Sequence, residues 1–280
     1  VTNEDLVSGE LMNTIRIAAI LLFVLFLGGI TFASMHGSAE KGAGGDDESG
    51  GYAIVYSGPG SAEECPEAAA DIAKEAGLKV KFVSDAGKLP GLLDSAEVFI
   101  LGGTDDDMRP LVKAFNPKAS EALRNYLKKG GCYLGICGGG FMASTGWDED
   151  GAPMKGLSII PASSSVYNDD FSARIIHVTW MGKSRQIFFK AGPVFHLVGS
   201  RPDVRIIANY SDGGIAALVC AYGKGRVAVV GPHPEARESW KDEAVDGNKW
   251  TSSKDLAVSL LRELLSPGDS HSDGIRNSRR

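Results

Sequence analysis

Between residues 52 and 136 short apolar runs alternate with amphipathic stretches, and glycine or proline punctuates almost every change. Residues 52–56 (YAIVY) are a continuous apolar run closed by Ser57-Gly58-Pro59-Gly60, the pattern of a buried strand. Ser61 with Glu64 matches a capping box and predicts a helix to about Ala76, stopped by Gly77. Residues 80–83 and 98–101 predict the next strands, the second ended by Gly102-Gly103. Asn116-Pro117 opens a further helix, and Gly130 closes it after Lys128 and Lys129. Residues 132–136 form a strand that runs straight into Cys137. Such alternation implies an α/β fold with a mostly parallel sheet and helices on both faces.

From about residue 159 the texture changes. The runs 173–180, 186–189, 205–210, 215–222 and 226–230 are strand-like and joined by glycine-containing turns, which predicts a C-terminal antiparallel extension of the sheet. Leu256, Leu260, Leu261 and Leu264 then share one face of a closing helix. In open sheets of this kind ligands bind beyond the C-terminal strand ends. Four glycine-rich loops stand at such ends: 57–60, 102–103, 138–140 and 231–234.

Gly135-Ile136-Cys137-Gly138-Gly139 is Gly-x-Cys-x-Gly between a strand and a short predicted helix, the nucleophile-elbow pattern with cysteine in place of serine. The tight turn strains the nucleophile's backbone, and the flanking glycines let neighbouring backbone pass. The helix start turns N–H groups toward the sulfur, a setting that suits a thiolate nucleophile. Gly231-Pro232-His233-Pro234-Glu235 follows the strand 226–230. Residues two apart in extended chain point the same way, so Glu235 can orient His233 while the other ring nitrogen meets the thiol. Nucleophile Cys137, base His233 and orienter Glu235 make a triad. The plainer alternatives are a buried cysteine in a glycine-rich turn and a solvated histidine beside a surface glutamate.

The elbow and the His-Pro-Glu segment together resemble the class I glutamine amidotransferase superfamily. That resemblance implies a flavodoxin-like three-layer sandwich and a Cys-His-Glu triad. A narrower resemblance covers about residues 52–240. Six blocks in order (55–60, 100–105, 130–140, 192–195, 222–227 and 231–235) are similar to the N-terminal domain of eukaryotic-type biotin–protein ligase and its stand-alone bacterial relatives. No ligase catalytic domain follows in this chain, so biotinylation by it is not implied, and no synthetase is present to receive ammonia. What the resemblance implies is amide or peptide hydrolysis through a thioester, with the backbone N–H groups of Gly103 and Gly138 as oxyanion hole. Gly58, Gly102, Thr104, Asp105 and Gly139 would wall the pocket. Two positions depart from the family pattern: Leu101 stands where a proline often precedes the glycine pair, and Lys190-Ala191 where an asparagine often precedes Gly-Pro.

This reading needs no metal and no organic cofactor. The partner it expects is a small-molecule or peptide amide substrate; the oligomeric state is left open. The competing reading is a non-catalytic module of the same fold that holds a ligand or partner, and a third is a redox-sensing thiol protein. The net charge of −6 argues against a basic nucleic-acid groove. With 43% hydrophobic and 23% charged residues, wholesale disorder and a multi-span membrane protein are excluded.

The two ends read differently from the middle. Residues 17–33 are an apolar run after Arg16, centred on 20–27 (ILLFVLFL) and followed by small residues, an export-signal pattern. The expectation is an exported, periplasmic or extracellular protein; an uncleaved membrane anchor is the alternative. Acidic residues precede the run, so Met12 is the expected start, and residues 1–33 comprise an over-extended start plus signal or anchor. Residues 34–50 read as a flexible linker, 51–265 as the amidotransferase-like domain and 266–280 as a disordered tail. Four cysteines (65, 132, 137 and 220) are too few for a disulfide scaffold; two bridges would consume Cys137, and the pairing stays open. Asp105 to Asp107 read as a solvated acidic loop and helix start, with binding of a cation or a basic substrate as the alternative, His177 and His196 as structural, and Tyr167, Asn168 and Asp169 as candidates to line the site.

Overall fold

The computed structural model describes residues 51–169 and 171–266. The expected start and signal (1–33), the linker (34–50) and all of the tail after Ser266 lie outside the described residues.

Five strands form a parallel half-sheet: β1 (Tyr52–Tyr56), β2 (Lys79–Val83), β3 (Ala96–Leu101), β4 (Cys132–Ile136) and, from near the end of the chain, β13 (Gly225–Val230). Their order is β2-β1-β3-β4-β13. Alternate residues of these strands enter two different cores. Ala53 and Val55 of β1, Leu134 and Ile136 of β4, and Ala228 and Val230 of β13 pack under α1 (Cys65–Glu75) and α6 (Lys254–Leu265). The other parity (Ile54, Phe99, Tyr133, Val227) packs under α2 (Leu89–Leu92), α3 (Arg109–Ala114) and α4 (Pro117–Lys129). Both faces of the inner strands β1, β3, β4 and β13 are thus buried, which explains their mostly apolar runs, while the edge strand β2 is partly exposed. The three layers match the expected sandwich.

Beyond β13 the sheet turns antiparallel. It continues through β12 (Ile215–Tyr222), β11 (Val204–Tyr210), β8 (Arg174–Trp180) and β9 (Lys183–Phe189), while β10 (Pro193–Leu197) pairs with β12 and with β7 (Ala162–Val166). A separate hairpin, β5 (Gly146–Glu149) with β6 (Ala152–Lys155), follows α5 (Gly138–Ala143).

Several local readings hold in detail. Asn116 Oδ1 accepts the Ala119 N–H at 3.1 Å and Gly130 ends α4 at φ 121°. The four leucines of α6 are buried. One reading fails. The first helix begins at Cys65 rather than Ser61, because Glu64 is left-handed (φ 61°) and its carboxylate accepts from Ser239 Oγ and Trp240 Nε1. Ser61 instead bridges Thr104. A long-range contact has taken the acid that the capping box required.

Candidate active site

Strand β4 delivers Cys137 and strand β13, its parallel neighbour, delivers His233 and Glu235. Ile136 pairs with Val230, so both chains leave the sheet at the same level. Cys137 sits at φ 49°, ψ −107°, a conformation that L residues rarely adopt, pinned by its N–H to the Val230 carbonyl at 2.9 Å. The glycines around it are needed for close approach. A side chain at Gly139 would meet the Leu101 carbonyl oxygen at 2.0 Å, and one at Gly138 would meet Thr104 Oγ1 at 2.1 Å.

His233 is buried, and its N–H donates to the Phe188 carbonyl at 2.8 Å, which ties the loop to the end of β9. Phe188 and Trp240 both meet the imidazole edge-on, with ring centroids 5.9 and 5.4 Å away. His233 Nδ1 lies 2.9 Å from Glu235 Oε1. That leaves the other ring nitrogen for Cys137, with which the imidazole is hydrogen-bonded. Burial alone would lower the pKa of His233, but the Cys137 sulfur and the Glu235 carboxylate raise it to about 10. Glu235 is fully buried, and its Oε2 has no hydrogen-bond partner among the described residues. The Cys137 thiol faces the Lys190 carbonyl at 3.6 Å.

A cavity of about 400 Å³ opens over these groups. Cys137, His233, Thr104 and Asp105 line it together. Gly103 lies beside them: a side chain there would meet His233 Cε1 at 2.9 Å and Cys65 Sγ at 2.7 Å. Its N–H is engaged with the Cys65 sulfur. Gly138, first residue of α5, has an N–H with no intrahelical acceptor. The other three expected wall residues are not on the cavity surface. Gly58 packs toward Ser84 and Tyr56; Gly102 packs against the Cys65 backbone and accepts the Gly139 N–H at 3.1 Å. Those contacts shape the loops, not the pocket. Tyr167, too, is a core residue, stacked on Tyr210 at 3.7 Å beneath the elbow.

The sequence reading missed most of the wall. Trp147, Asp148, Glu149 and Asp150 come from the β5–β6 hairpin, Phe188 and Lys190 from the end of β9, and Trp240 and Glu243 from a 3-10 turn after the His-Pro-Glu segment. Cys65 also lines the cavity. Burial, with the Glu235 and Cys137 charges behind it, pushes its thiol far above the ordinary range, so it stays neutral. All four cysteines are free and buried. No cluster of metal-ligating side chains occurs among the described residues; His177 and His196 are exposed on their strands.

Residues 70–185, which include the elbow but not His233, match the family of CobB/CobQ-like glutamine amidotransferase domains. Among curated proteins, the biotin–protein ligase of Schizosaccharomyces pombe is 24% identical over 171 residues, 53% of this chain and 27% of that ligase. The chain therefore aligns with little more than a quarter of that relative's length. Among solved structures, a glutamine amidotransferase from Thermotoga maritima superposes on 78% of this chain and 99% of its own, with a TM-score of 0.52 at 16% identity. A second glutamine amidotransferase superposes on 66% of this chain and 91% of its own, with a TM-score of 0.51 at 16% identity. The sheet order, the elbow and these likenesses agree: the chain has the α/β fold of the glutamine amidotransferases and is similar to the class I glutamine amidotransferase-like superfamily.

Proposed function

We propose that this protein is a cysteine-dependent amide or peptide hydrolase. The observation that carries the reading is the buried Glu235 carboxylate bonded to the His233 imidazole, whose other side faces Cys137. Cys137 attacks the amide carbonyl, and the C–N bond breaks as a C–S bond forms. His233 carries the thiol proton to the departing amine. Water then cleaves the thioester, with His233 returning the proton to sulfur. Glu235 holds the imidazole in the orientation and charge state that both steps need. The Gly138 N–H, with the Gly103 N–H when it leaves Cys65, would hold the oxyanion.

The direct test is ammonia or amine release from a panel of small amides. Cys137→Ala should abolish it, a loss of at least about 10³-fold, while the melting temperature stays close to that of wild type. One observation favours the alternative, a ligand-binding module: the Gly103 amide is occupied by the Cys65 sulfur, which leaves a single unengaged oxyanion donor. Ligand binding that survives Cys137→Ala, with no turnover in wild type, would select it. Reversible sulfenate at Cys137 without hydrolysis would select the redox-sensor reading instead.

We also propose export, on the strength of the apolar run 17–33 after Arg16. Among the described residues no helix is long and apolar enough to cross a membrane. N-terminal sequencing of the mature protein tests export, and it separates cleavage from anchoring.

A further inference from the structure

The cavity over Cys137 has a marked charge imbalance. Some of its carboxylates are already matched: Glu243 faces Lys190 at 3.9 Å, and Asp150 faces Arg109 at 3.1 Å. Glu149 is spent on the Met108 N–H and on Trp147 Nε1, at 3.0 and 2.7 Å. Glu63, Asp105, Asp106 and Asp148 remain without an ion pair, and Asp148 uses one oxygen to accept the Gly151 N–H at 2.6 Å. All four line the cavity, all are exposed, and none has an ion-pair partner among the described residues. They come from three separate segments: the loop before α1, the loop after β3, and strand β5. Carboxylates that converge from three segments on one concave wall sum their field there. Aromatic rings supply part of the remaining lining, with Trp147 and Phe141 packed at 5.8 Å and Phe188 and Trp240 at 5.4 Å. Aromatic faces attract cations and accept aliphatic stems.

We propose that the substrate is a small amide with a cationic side chain, of the size of one arginine or lysine residue, whose ammonium or guanidinium group lies against Asp105 and Asp106 while its carbonyl meets Cys137. The site rests on the hydrolase reading for its chemistry but not for its binding preference. A cavity of about 400 Å³ accommodates one long side chain and an amide. A neutral carboxamide side chain would leave the four carboxylates unmatched, and an acidic one would be repelled. In the reaction Cys137 sulfur bonds to the carbonyl carbon and the amide C–N bond breaks. The thiol proton leaves on the amine through His233, and water releases the basic acid and restores the thiol.

The test separates binding from chemistry. Full-length Cys137→Ala protein is titrated calorimetrically with arginine amide and its neutral near-isostere citrulline amide, with lysine amide and norleucine amide, and with glutamine. The expected result is a preference of about tenfold or more for each cationic amide at low salt. The preference should shrink as salt rises. Asp105→Asn with Asp106→Asn should remove most of it; both residues are exposed, and an unchanged melting curve establishes that the fold persists. Equal binding of charged and neutral partners, a preference for glutamine, or no binding by any of them would overturn the proposal. Ammonia release from arginine amide by the wild-type protein is read separately. A cationic preference without release keeps this inference and removes the hydrolase reading.

Discussion

The parallel half of the sheet and the segments added to it do different jobs. The inner parallel strands are covered on both faces, and they carry the proposed triad: β4 leads into Cys137 and β13 into His233 and Glu235. The additions are thinner. Strand β8 alternates exposed and buried residues toward its end, and the β5–β6 hairpin is largely exposed. Yet these additions share the cavity wall with the strand-end loops of the parallel half. A rigid doubly covered sheet can hold three catalytic groups in register, whereas loops and edge hairpins can change shape without disturbing them. In this molecule the proposed reacting groups stand on the covered sheet, while the wall around them comes both from its strand-end loops, Asp105 and Asp106 included, and from the added segments.

The sharpest way to break that comparison is through two glycines. Gly139→Ala places a methyl group 2.0 Å from the Leu101 carbonyl oxygen, where backbone cannot yield cheaply. A loss of about 3 kcal/mol or more is expected in a urea titration. Gly182, in the β8–β9 turn, has nothing within 4 Å but lies at φ 80°. Gly182→Ala should therefore cost only the left-handed strain, about 1–2 kcal/mol. Equal losses would mean that the two halves are packed alike.

Next in size is the base. His233→Ala should slow alkylation of Cys137 near pH 6 by about 10²-fold, followed by mass spectrometry of each cysteine, with Cys65 slow in both proteins. An unchanged rate would remove His233 from the site's chemistry.

Glu235→Gln probes the electrostatics. A pKa raised to about 10 means that the folded state favours the imidazolium. The stability it contributes is fully present below the ordinary histidine value of about 6.5 and is lost as pH rises through about 10. Glu235→Gln should lower the His233 titration seen by NMR and flatten that fall in the urea midpoint. A His233 titration that does not move would show that Glu235 has no electrostatic hold on the ring.

The smallest effect is expected at the junction of the two parts. Glu64→Gln weakens the hydrogen bonds to Ser239 and Trp240, whose ring packs on His233. A few-fold fall in kcat/KM is the expected outcome, with the pH profile displaced; a profile that stays fixed would make Glu64 purely structural.

How legible each feature was depended on the range of the interactions that made it. Strands β1, β3 and β4 could be read because burial on both faces demands apolar runs such as YAIVY, whereas 226–230 looks like its antiparallel neighbours, and its parallel pairing with β4, far back in the chain, leaves no local mark. Cys137 was legible because a strained turn between strand and helix leaves glycines on both sides. His233 and Glu235 were legible through their two-residue spacing. Glu64 misled because its carboxylate is used on Trp240, far along the chain, and a local capping rule does not contain that contact. Strand β5 escaped notice because its four residues, GWDE, carry one buried side chain and no periodicity. Tyr167 was offered to the site, but its ring is stacked on Tyr210 in the core, a pairing that no local pattern announces.

Strand β13 has a consequence for how the protein matures. It is the last strand made, yet it lies between β4 and β12, both of which precede it in the chain. A nascent chain that has not reached Gly225 therefore presents two unpaired edges facing an empty slot, the arrangement most prone to pairing with another molecule. Closure of that slot and delivery of His233 beside Cys137 are the same event. On the proposed chemistry, the thiol has no base until the sheet is whole, so reactivity at Cys137 would double as a report that folding has finished.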